Sequence, residues 1–164
     1  MKWTTQAIDK DHCVATWDRV LIQIWRAETP VEAVIRLDRI AHTFMAAEPR
    51  RISSLAIIEA TATPPNHVAR AALSKFYREL SPEICAAIVV AEGGGFRAAF
   101  VRGVGITLST LAPRALPFKF VGTVTEATAL LAPYLSTTGG NKALLDQIAG
   151  LRSEYSDWAK RSQR

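Results

Sequence analysis

Residues 52–92 read ISSLAIIEATATPPNHVARAALSKFYRELSPEICAAIVVAE, and the reading of this stretch decides the fold. Its two ends, Ile52 to Ala60 and Cys85 to Glu92, are largely apolar runs with many β-branched residues, the pattern of strands buried on both faces. Between them the break TATPPN gives way to Val68, Ala72, Leu73, Phe76 and Leu80, spaced as one face of a helix. A strand, a helix and a second doubly buried strand make a parallel pair, because neighbouring strands run the same way only across such a crossover.

Working outward from that unit, HCVATW (12–17) and RVLIQIWRA (19–27) are two strand-like runs separated only by Asp18, a residue suited to a turn. They predict a hairpin. After ETP, where Thr29 is placed to cap and Pro30 to enter the first turn, Val31, Val34, Ile35, Ala41, Phe44 and Met45 recur at helical spacing until Pro49. Beyond Glu92, three glycines precede a third helical pattern of Phe96, Phe100, Gly103, Val104, Thr107 and Leu111. The breaker APRALP then leads to a short strand, FKFVGTV, and to a fourth helix from Glu126 to Leu135 ended by STTGGN. The expected fold is α/β: a mixed, mostly parallel sheet with the leading hairpin as its one antiparallel pair, four helices, and a C-terminal helical extension. The division expected is a domain over 1–136 and a tail over 137–164.

A chain of 164 residues is long enough for one domain with a sizeable core, burying roughly two thirds of its unfolded surface. Lysine and arginine outnumber aspartate and glutamate 20 to 15, without the basic blocks that mark nucleic-acid arms, so no nucleic-acid partner is expected. The two cysteines, Cys13 and Cys85, sit in or beside apolar runs and read as small hydrophobes. Without CxxC, HExxH or a histidine cluster, neither a metal nor a cofactor is expected. MKWTTQAIDKDH lacks the apolar core of a signal peptide, and no run approaches the roughly 18 apolar residues of a membrane span. A cytoplasmic protein is the expectation.

Gly93, Gly94 and Gly95 lie between strand and helix, where phosphate cradles are found. Yet residues 93–98, GGGFRA, match neither the P-loop nor the dinucleotide fingerprint. What remains is the general affinity of a helix start for anions, with Arg97 in the first turn and Arg102, Arg114 and Lys119 following without an acidic residue from 93 to 125. Arg97 and Arg102 point about 140° apart on one helix and do not clamp one small anion together. A strand-to-helix turn that needs positive φ explains the glycines equally.

His12, His42 and His67 have no serine or cysteine at a spacing that suggests an activated nucleophile. Glu59 and Glu92 each end a parallel strand, at the rim where open α/β sheets place their ligands, and two carboxylates there have the composition for acid–base work. No nucleophile or cofactor motif accompanies them, so an enzyme is not expected.

The order of strands and helices over residues 12–135, together with EGGGFRAAFVRGV after one strand and TVTEATALLAPYL after the last, resembles the STAS family of anti-sigma factor antagonists, and in particular stand-alone STAS-like bacterial proteins. The resemblance covers about three quarters of the chain. It implies a non-enzymatic regulatory module that binds another protein. Antagonists of that family carry a phosphorylatable serine at the start of the helix that here follows EATATPPNHV; this chain has no serine there, only Thr61 and Thr63, and Pro64 and Pro65 replace the small residues of the motif. Thr63 or Asn66 is equally suited to capping that helix.

After Ser136 the character changes. Leu144, Ile148, Leu151, Tyr155 and Trp158 follow at steps of four and three, an apolar stripe on one helix. About two heptads do not sustain a free coiled coil, so the stripe must lie on its own domain, on a second copy or on a protein partner. Two functional classes therefore stand: a regulatory protein-interaction module using the tail stripe, and, as the alternative, a sensor of a small anion such as a nucleotide or lipid head group at Gly93, Gly94, Gly95 and Arg97.

Overall fold

The computed structural model describes residues 2–94, 118–136 and 140–162. Its strands are β1 (Thr4–Ile8), β2 (His12–Trp17), β3 (Val20–Trp25), β4 (Ile52–Ile58), β5 (Ile84–Ala91) and β6 (Phe118–Val121), and its helices are α1 (Val31–Ala47), α2 (His67–Leu80), α3 (Val124–Leu131) and α4 (Gly140–Ser162). A single 3-10 turn, Ala132–Tyr134, extends α3, so the helix expected over 126–135 begins two residues earlier and tightens at its end. The third helical pattern, Phe96 to Leu111, lies outside the described residues.

The six strands form one sheet in sequence order, β1-β2-β3-β4-β5-β6. β3, β4, β5 and β6 run parallel, with α1 joining β3 to β4 and α2 joining β4 to β5. The hairpin closes through the pair Trp17 and Val20, with Asp18 at φ 51, a left-handed conformation that aspartate tolerates better than most residues. The expectation of a single antiparallel pair needs correction, because β1 pairs antiparallel with β2 as well. Its sequence, TTQAI, is an edge strand, exposed or half-buried along its length, and so lacks the continuous apolar signature of the inner strands.

Side chains of the inner strands alternate between two cores. On one face Val14, Leu21, Trp25, Ala56 and Val89 pack under α1 (Val34, Leu37, Ala41) and α2 (Leu73, Phe76, Leu80). On the other, Cys13, Ile22, Ile24, Leu55, Ile57, Ile88 and Val90 pack under α3 (Ala127, Leu131) and α4. Both faces are covered, which is why β3, β4 and β5 read as runs rather than alternations.

Local signals fix the helix starts. Asn66 caps α2, its side-chain oxygen accepting from the Ala69 N–H at 2.9 Å. At α3, the Thr123 side chain accepts from the Glu126 N–H at 3.2 Å, and the Glu126 carboxylate accepts from the N–H of Gly122, the residue before the cap, at 3.0 Å. Thr29 does not cap α1; Pro30 holds that position, with no side-chain cap bond.

The tail stripe is committed to the chain's own sheet. Leu144, Ile148, Leu151 and Tyr155 are buried in the second core, and Trp158 packs half-buried against it. Their expected role as partner-binding residues is thereby corrected: the face that α3 leaves uncovered on β2 and β3 is filled by α4. The helix is also tied to the first strand, for the Trp3 indole N–H donates to Glu154 at 3.2 Å and the Thr5 hydroxyl donates to the same carboxylate at 2.7 Å. Gly150 allows the close approach, since a Cβ there would stand 2.6 Å from the Trp3 ring. Among the described residues no helix is long and apolar enough to cross a membrane.

Candidate functional site at the carboxyl rim of the sheet

β3, β4 and β5 end side by side, and the residue after each is charged: Arg26, Glu59 and Glu92. The ladder continues one step past the strands, with the Glu59 N–H donating to the Trp25 carbonyl and the Glu92 N–H to the Ile58 carbonyl, both at 2.9 Å. This continuation aligns the two carboxylates along the rim, as their positions in the sequence suggest. What the sequence does not reveal is their partners.

Arg26 grips Glu59 through two nitrogens, Nε to Oε2 at 2.6 Å and Nη2 to Oε1 at 3.2 Å, the fork geometry that makes such pairs strong. Arg152, from α4, reaches both carboxylates, with Nη2 donating to Glu92 Oε1 at 2.9 Å and Nε lying 3.9 Å from Glu59 Oε1. The guanidinium of Arg26 also lies over the Tyr155 ring, 3.9 Å from its centroid. Two arginines and two glutamates thus form a chain of alternating charge that joins three strand ends to the last helix. Paired in this way, the carboxylates act as a lock between rim and tail. Arg26 and Arg152 are missed by sequence reasoning because they belong to segments 126 residues apart; only the fold brings them together.

Nucleophiles beside this network are quiet. Cys13 is buried, and burial pushes its thiol up to about 12, so it remains protonated at neutral pH. Burial likewise pushes the Tyr155 phenol well above the usual range. Cys85 lies at the opposite end of the sheet, its sulfur 3.2 Å from the Ser53 hydroxyl.

The histidines divide. His42 and His67 are exposed on α1 and α2, whereas His12 is fully buried in β2, stacked on Trp25 with ring centroids 5.0 Å apart. Its Nδ1 lies 2.9 Å from Asp9 Oδ1, and Arg36 donates to the other oxygen of that carboxylate at 2.9 Å. Burial lowers the His12 pKa, against the opposing pull of Asp9. Burial works against the Asp9 charge too, but the N–H groups of His12 and Asp11 and the imidazole outweigh it and hold the carboxyl below its ordinary value.

Of the glycine loop, the described part is a turn. Gly93 has φ 87, and a Cβ there would meet the Ala60 side chain at 3.1 Å; Gly94 is open around its Cα. Gly95, Arg97, Arg102 and Arg114 lie outside the described residues, and Lys119 is exposed on β6. Thr61 and Thr63 are not at the start of α2. Their hydroxyls donate to the Arg26 carbonyl at 2.7 Å and the Ala27 carbonyl at 3.4 Å, stitching the loop after β4 to the loop after β3. Among the described residues no cluster of three or more histidine, cysteine or acidic side chains is placed to hold a metal ion.

Neither a protein-family model nor a curated protein matches this sequence, so the reading of the rim rests on its own residues.

Proposed function

We propose that the chain is a non-catalytic regulatory module of the STAS type that works by binding another protein in the bacterial cytosol. The observation that carries this reading is the occupation of the rim: Glu59 and Glu92, the groups best placed for acid–base chemistry, are each held by an arginine. A carboxylate whose oxygens are taken up by a guanidinium is not free to meet a substrate unless that pair is first broken. Since α4 is spent on its own sheet, a partner has to use another surface. The α1 and α2 side offers one, with Ile35 54% and Val68 47% exposed. An exposed apolar side chain is area that a protein partner can remove from water.

Photo-crosslinking from position 35 or 68 in cells tests the reading. A discrete adduct with one protein, reduced by Ile35→Glu in the chain carrying the crosslinker at 68, is expected; an adduct of twice the chain's mass makes the partner a second copy. Absence of any discrete adduct from both positions overturns the proposal.

A further inference from the structure

The sheet face under α1 and α2 contains a polar group that none of the described residues satisfies. Gln23 is 1% exposed in the middle of β3, its Nε2 donating to the Ser54 hydroxyl at 3.0 Å, while its Oε1 is buried without a partner among the described residues. The Tyr77 hydroxyl lies within hydrogen-bonding reach of both Gln23 and Ser54. Turning the carboxamide over does not remove the problem, since Ser54 and Tyr77 would then satisfy the oxygen and leave the nitrogen orphaned. Buried carboxamides are seldom left so.

Gln23 also lines a cavity of about 20 Å³, bounded by Trp25, Thr29, Pro65, Leu73 and Tyr77, which is room for one oxygen-sized group. Thr29 also lines a larger cleft of about 470 Å³ at the carboxyl rim, between the starts of α1 and α2, with Glu28, Glu32, Pro64 and Val68. That volume is of the size small-ligand sites have, and that rim is where α/β sheets place them.

The chemistry selects the ligand. A charged tip is disfavoured in a cavity walled by tryptophan, proline and leucine, and the two carboxylates of the cleft repel an anion. A hydroxyl both donates and accepts, so it satisfies Gln23 in either orientation of the carboxamide and also suits Thr29. We propose that the cavity over Gln23 receives the hydroxyl end of a small neutral alcohol whose body lies in the rim cleft, a water molecule standing in when the alcohol is absent. This site is on the opposite face of the sheet from α4 and does not depend on the protein-binding role above.

The test is an NMR titration with propan-1-ol, following the side-chain amide resonances of Gln23 and the methyl of Thr29, with propan-1-amine and acetate as charged controls. A saturable shift with the alcohol is expected, together with loss of the water cross-peak to Gln23. The charged probes should shift these resonances much less. Gln23→Leu should weaken the response of Thr29 at least tenfold; should that variant not fold, Thr29→Val serves, with a weaker response at Gln23. No saturable shift, an equal response to the amine or acetate, an unchanged response in the variant, or a water that the alcohol does not displace would each overturn the proposal.

Discussion

The two faces of the sheet are covered to similar depth but built on different terms. The face under α3 and α4 is apolar through the strands, from Cys13 and Ile22 to Leu55 and Ile88, and polar contacts appear at its margin, where Arg26, Glu59, Arg152 and Glu92 lock helix to rim. The face under α1 and α2 carries buried polar groups, His12 at its rim and Gln23, Ser54 and Tyr77 further in. An apolar face with a charged clasp holds a helix in place, whereas a face with buried polar groups has unmet hydrogen-bonding capacity to offer a ligand. The same strands serve both, because alternate residues point to opposite sides.

The comparison is broken most severely at the apolar face. Leu151→Ala removes a fully buried side chain from under α4 and should destabilise the protein by about 2–5 kcal/mol in urea denaturation, the range for a core cavity. A loss under about 1 kcal/mol would mean that the helix is not seated as described.

How much of this was legible follows from the same geometry. β3, β4 and β5 were readable because burial on both sides makes continuous apolar runs. β1 was not, because an edge strand of threonines and glutamine has no such run. The rim carboxylates were visible as strand ends, but their arginines were not, since ion pairs between β3, β4 and α4 leave no spacing in the sequence. The stripe of α4 was legible as a stripe. Its partner was hidden, because a periodicity states that a face must be buried and not against what.

The clasp is the next place to press. Glu59→Gln keeps the shape but removes the charge between Arg26 and Arg152, and it should cost roughly 1–3 kcal/mol while leaving the strands intact. A double-mutant cycle with Arg26→Met measures the coupling; a coupling near zero would reduce the network to surface charge. At the end of β5, Gly93→Ala forces a side chain into φ 87 and against Ala60 and should cost about 1–3 kcal/mol, whereas Gly94→Ala should stay within about 0.5 kcal/mol. Equal effects at the two positions would contradict the turn described for Gly93.

The smaller effect sharpens the contrast from the polar face. His12 is held neutral by burial, with Asp9, Asp11 and Arg36 around it, so its folded pKa lies below the ordinary 6.5. As pH falls below about 6.5 the unfolded chain takes up the proton first, and stability drops toward the lower folded value. Asp9, also depressed, adds a loss of the same sign at pH values below its ordinary 3.8. The unfolding free energy from urea denaturation between pH 7 and 5 should therefore fall with a slope of up to about 1.4 kcal/mol per pH unit, and His12→Phe should flatten that window. A slope that is unchanged in the variant would assign the loss to other groups.

The claim on which the rest depends is that α4 is a layer of this domain, spent on its own sheet. Native-state hydrogen exchange measures it directly. The amides around Leu144, Ile148, Leu151 and Tyr155 should be protected to within about tenfold of those in β4 and β5, opening only when the sheet opens. Exchange of α4 a thousandfold faster than the strands, with the strands still protected, would contradict it and return the stripe to a role as a binding surface for another chain.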